Sequence, residues 1–162
     1  MGARALSGPI VITSKLAIEQ HPALEKLLFF NANQHRVRSG IEQSIAIYGA
    51  PEIYEQEDSL HIRVGDLGGV QTLFAVSAEG RPVGIAVFAR LARERFVVLH
   101  LGVEPKPRAG DGNTAVLLRL MHEIRAAARR SSGTARIELV YRERHAVQLP
   151  VSGAARERTF RS

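Results

Sequence analysis

Residues 96–130 read FVVLHLGVEPKPRAGDGNTAVLLRLMHEIRAAARR, and the change of period inside this stretch decides the fold. Residues 96–103 are an apolar run of strand length, closed by Pro105, Pro107 and a turn with Gly110 and Gly112. From about Thr114 to Arg130 the spacing becomes helical, with Leu117, Leu120, Met121, Ile124 and Ala128 along one stripe. Arg125, Arg129 and Arg130 close the helix, where cations suit its dipole. A strand, a tight turn and a helix N-terminus form a recurrent device for holding a phosphorylated ligand. The first N–H groups of the helix point outward there, and the dipole favours negative charge. The same succession also serves as an ordinary connection that binds nothing.

Leu101-Gly102-Val103, Pro105, Arg108, Gly110, Gly112 and Val116-Leu117 stand in the order of a strand, proline, arginine and glycines opening a helix with paired apolar residues. In this the stretch resembles the core of the GCN5-related N-acetyltransferase (GNAT) superfamily, and residues 136–141 (RIELVY) resemble its following strand. The resemblance covers roughly residues 71–150 and describes a divergent member. The superfamily pattern places a glycine near 111 and a glycine or alanine near 113, where this chain has Asp111 and Asn113. A carboxylate there would satisfy the helix N-terminus itself and repel a pyrophosphate. Glu143, Ala146 and Pro150 stand where the superfamily carries an Asn, an Ala and a general-acid Tyr.

The resemblance implies an α/β (α+β) fold, with a mixed, mainly antiparallel sheet flanked by helices. It implies N-acetyl transfer from acetyl-CoA to a small-molecule or protein amine. The backbone of Leu101 and Val103 would hold the pantetheine arm. Arg108, Gly110, Gly112, Asn113 and Thr114 would hold the pyrophosphate. A catalytically inactive ligand- or protein-binding module on the same fold is the alternative, which Asp111, Pro150 and the short C-terminus favour. A homodimer is compatible with either.

The chain has 162 residues, enough for one domain with a real core: an acetyltransferase-like core over residues 9–150 and a short basic tail or single edge strand over 151–162. Its 45% hydrophobic and 23% charged content are those of a soluble globular protein. No apolar run approaches the roughly 20 residues of a membrane span, so no membrane partner is expected. The N-terminus is too weakly apolar for a secretory signal, and Gly2 lacks the Ser or Thr of a myristoylation motif. Cysteine is absent, which removes disulfides, thiolate metal sites and cysteine nucleophiles, and a reducing cytoplasm is the expected address.

Upstream, residues 10–13 read as a first strand and residues 22–36 as a helix burying Leu24, Leu27 and Leu28, with Phe29 and Phe30 widening its apolar face. Ser39 and Glu42 fit a capping box for a helix presenting Ile41, Ile45 and Tyr48. Between the helices, Asn31, Asn33, Gln34, His35, Arg36 and Arg38 form a polar connector, and the resemblance places such a connector beside an acceptor site. Residues 60–64, 70–77 and 82–88 read as successive antiparallel strands feeding the 96–103 strand.

The six histidines are widely spaced, with no His-x-x-x-His pair, so no metal site is expected. His100 stands inside the central strand and reads as a buried structural residue. Strict alternation would put Val97, Leu99, Leu101 and Val103 on one face and His100 on the other, so no catalytic base is assigned. The net charge of +6 permits an acidic partner. However, arginines alternate with glutamates and the few aromatics are not interleaved with them, so nucleic acid is an unlikely ligand. DNA should be retained only weakly and released by moderate salt, since counterion release is then the whole driving force. Sequence-selective binding at physiological salt, read by fluorescence anisotropy, would contradict this.

Overall fold

The computed structural model describes residues 9–29, 38–104, 112–134, 136–139 and 147–150, with backbone alone for 38–40, 112–114 and 147–150. In chain order the elements are β1 (Val11–Thr13), β2 (Leu16–Ala17), a 3-10 turn (Ile18–Gln20), α1 (His21–Phe29) and α2 (Arg38–Tyr48). Then come β3 (Pro51–Gln56), β4 (Ser59–Val64), β5 (Val70–Val76), β6 (Pro82–Ala92), β7 (Arg95–Val103), α3 (Gly112–Arg130), β8 (Arg136–Leu139) and β9 (Val147–Pro150). The class is the expected one, mixed α/β with three α-helices and a mainly antiparallel sheet. The six-stranded sheet runs β1-β5-β6-β7-β8-β9, and a three-stranded sheet runs β2-β4-β3.

β7 lies beside β8, as the period switch requires, and that pair is parallel while the other pairings are antiparallel. A parallel pair cannot be closed by a hairpin, so α3 serves as the crossover. The helix buries Val116, Leu120, Ile124 and Ala128 against Ala86, Phe88, Phe96, Val98 and Ile137 on one face of the sheet. Its buried stripe thus begins at Val116, where the helical spacing had begun it at Leu117, and Leu117 and Met121 lie on its flank. The opposite face carries Phe74, Ile85, Val87, Val97 and Leu99 under Leu24, Leu27 and Leu28 of α1 and under Leu60, Ile62 and Val64 of β4.

Four expectations change. β4 does not feed the main sheet: it pairs with β3 and β2 in the smaller one. β3 had gone unread because Pro51, two glutamates and a Glu57-Asp58 turn give no strand or hairpin signature, yet both turn residues adopt positive φ (50° and 58°). β6 and β7 run beyond the expected 82–88 and 96–103, to Ala92 and from Arg95, which leaves only two turn residues between them. Finally, α2 begins at Arg38, so Ser39 lies inside its first turn, and Ser44 rather than Ile45 is the buried residue of that helix. Phe29 is 43% exposed and widens no core face. Phe30 and the suggested 159–161 strand lie outside the described residues.

Gly84 shows how closely α3 sits on the sheet. A Cβ there would come within 2.7 Å of Val116 Cγ1 and 3.1 Å of Leu120 Cδ1. Gly84→Val should therefore destabilise the protein by about 1–3 kcal/mol through overpacking, with part of the loss recovered by adding Val116→Ala. Urea unfolding of the two variants checks this, and an unchanged midpoint for Gly84→Val would contradict the packing.

Candidate functional site

The C-terminal half of β7 is where the two faces of the sheet exchange contents. Val87 pairs with His100 and Phe88 with Val98, so Leu99 is an extra residue opposite a continuous β6. This is a β-bulge, and it reverses the alternation beyond it. Leu99 and His100 both line a small cavity under α2, with Ile41, Ser44, Ile45, Gly49, Pro51 and Val64. Leu101 and Val103 then pack on the α3 side. The single face expected to hold Val97, Leu99, Leu101 and Val103 is therefore split between the two sides, and His100 shares a side with Leu99.

Helix α2 is seated over the bulge by a buried bond, Ser44 Oγ donating to the Leu99 carbonyl at 3.1 Å. Its C-terminal end is set by a close backbone approach. Gly49 has φ of +104° and a Cβ there would lie 2.8 Å from Gly65 Cα, so neither glycine can be replaced without moving α2 away from β4. The cavity encloses about 10 Å³, room for about one water molecule.

His100 is 4% exposed. Burial disfavours the imidazolium and lowers its pKa from 6.5 to about 4, so the ring is neutral at physiological pH. Among the described cavity residues it is the only titratable one. The expectation of a buried histidine holds, and its orientation was the part hidden by the bulge.

Of the other sequence-predicted positions, Leu101 and Val103 lie near the end of β7, paired to Ala86 and Gly84 of β6. The parallel ladder to β8 is described for residues 95–98. Gly112 is the first residue of α3, and Asn113 and Thr114 follow in its first turn, which contains no acidic residue. Arg108, Gly110 and Asp111 lie outside the described residues, as do residues 31–36 of the polar connector, Glu143 and Ala146. Pro150 ends β9, paired with Arg136. His21 approaches Glu25 at 3.5 Å, and His61 stacks on Tyr54 with ring centroids 5.5 Å apart. His122 is exposed on α3, and no metal-binding cluster occurs among the described residues. No described helix is long and apolar enough to cross a membrane.

No protein-family model matches the sequence, and no curated protein matches it. Among solved structures it is similar to one described as the crystal structure of nourseothricin acetyltransferase, at 20% identity and a TM-score of 0.38, over 55% of this chain and 56% of that one. The match spans little more than half of either chain, and at that score it carries no argument about function.

The pKa of His100 makes a stability prediction. The unfolded imidazole titrates near 6.5 and the folded one near 4. Between these values the unfolded chain binds a proton that the folded chain does not, so stability rises with pH across this window and is complete above it. His100→Gln should remove up to roughly 3 kcal/mol of the loss between neutral pH and pH 4. Parallel urea titrations of the two proteins check this, since acidic groups contribute equally to both. Identical pH slopes would contradict a neutral, buried His100.

Proposed function

We propose that this protein is an N-acyltransferase that uses acetyl-CoA to acetylate an amine, small or protein-borne. The observation that supports it best is the single parallel junction, β7–α3–β8, set in an otherwise antiparallel sheet. A parallel pair puts the carboxyl ends of both strands at one edge of the sheet, and the crossover helix follows the first of them from that edge. The N-terminus of α3 follows the carboxyl end of β7, and its first turn from Gly112 holds no acidic residue, which leaves Asp111, next before it in sequence, as the carboxylate that would compete with an anion.

The backbone of Leu101 and Val103 would hold the pantetheine arm, and Gly112, Asn113 and Thr114 would offer helix N–H groups to the pyrophosphate. Arg108 and Gly110 belong to the same turn by sequence, with Arg108 supplying positive charge. Bound acetyl-CoA supplies an activated acyl thioester. The chain then has two tasks: to orient an uncharged amine and to take up the proton it releases. His100, whose protonated form is disfavoured by burial, is not assigned that second task.

Calorimetric titration with acetyl-CoA tests the reading. Wild type should bind. Arg108→Ala should bind more weakly, and Asp111→Asn should bind more tightly by up to about 1 kcal/mol once helix-terminus repulsion is removed. Absence of heat at millimolar ligand in both wild type and Asp111→Asn would overturn it. Binding without turnover of any amine would leave the catalytically inactive ligand-binding module as the correct reading.

A further inference from the structure

A second feature lies at the other end of β7, where the β6–β7 turn meets the C-terminus of α3. Arg90 donates to the carbonyl oxygens of Arg93 and Ser132, which locks the turn onto the end of the helix. Arg136 N–H donates to the Glu94 carbonyl at 3.0 Å and adds β8 to the same junction. The result is an open depression of about 450 Å³ lined by Arg90, Leu91, Ala92, Arg93 and Ser132. Arg93 lies across Gly133, where a Cβ would come within 2.8 Å of its Nε.

The local charge is lopsided. Residues 90–95, 129–130 and 136–138 contain six arginines and two glutamates, a surplus of four in a chain whose net charge is +6. One glutamate is already engaged: Glu138 takes Arg95 at 3.7 Å and Arg136 at 3.2 Å. Arg93 and Arg130 are exposed and have no ion-pair partner among the described residues. No aromatic side chain lines the depression, which removes the stacking that would favour single-stranded nucleic acid. Guanidinium forks in an open, rigid concavity suit carboxylates carried on a protruding segment.

The chain itself carries such a segment. The β3–β4 turn presents Glu55, Glu57 and Asp58, all exposed and without an ion pair among the described residues, at one end of the three-stranded sheet, next to the Ala17–Ser59 pair. We propose that the arginine-lined depression receives the β3–β4 hairpin tip of a second copy of this chain, so that the protein self-associates through complementary charge. This surface is separate from the β7–α3 turn and does not depend on acetyl-CoA binding. If each copy gives its tip to the other at once the assembly closes as a twofold dimer, and otherwise it extends head to tail.

Sedimentation velocity of the full chain at about 50 mM and about 500 mM NaCl tests this, since exposed charge contacts are screened over this range. Two charge-reversed chains, Arg93→Glu and Glu57→Lys/Asp58→Lys, each remove one side of the contact at exposed positions, with circular dichroism confirming their folding. Wild type should associate at low salt, with an apparent Kd at least about tenfold weaker at high salt. Each variant alone should be monomeric, and their equimolar mixture should associate again because each retains the half the other lacks. A monomeric wild type would overturn the proposal, as would association that survives either variant or high salt. So would a monomer whose arginine depression instead retains DNA.

Discussion

Burial of β7 on both faces is the constraint on which the rest of the molecule depends. One face is covered by α3 and the other by α1, α2 and the small sheet, so each residue of the strand must suit the layer it meets. A strand with alternation alone would send residues 97, 99, 101 and 103 to one layer. The extra residue at Leu99 breaks that phase, delivers Leu101 and Val103 to α3, and turns His100 toward α2. The Ser44 bond to the Leu99 carbonyl secures the distortion from the helix side. A bulge without such a partner would leave a buried acceptor unsatisfied, at a cost of about 1–3 kcal/mol.

Much of this was legible in the sequence where one period dominates. Alternation predicts β4, apolar runs between turn residues predict β5 and β6, and the 3.6-residue spacing predicts α1 and α3, because each element buries apolar surface against a core. What escaped the reading was set by partners far away in the chain. β3 is a strand because β4 pairs with it, despite Pro51 and its glutamates. The bulge at Leu99 exists only relative to β6, and no local residue announces it. The exposed Ile45 and the buried Ser44 exchange roles for the same reason, since the carbonyl that Ser44 satisfies belongs to β7.

The candidate site has the same character. Leu101 and Val103 were expected there from the resemblance, and the structure places them at the carboxyl end of β7, beyond the part of the strand that pairs with β8. His100 was noticed and placed on the wrong face. The geometry brings a neutral imidazole, a serine hydroxyl and a water-sized space to the strand that the acyl-transfer reading uses. At the far end of the same strand, the arginines at the C-terminus of α3 first read as ordinary complements to the helix dipole. The β6–β7 turn docks beside that helix end, where Arg90 donates to the Ser132 carbonyl.

The central claim is that acetyl-CoA lies along the end of β7 and the start of α3. Two-dimensional amide NMR of the labelled protein, titrated with acetyl-CoA, maps this residue by residue. The account predicts saturable shifts at the amides of Leu101, Val103, Gly112, Asn113 and Thr114, with those of β1 and the β3–β4 hairpin unmoved. Shifts confined to other elements, or none at saturating ligand, would contradict it.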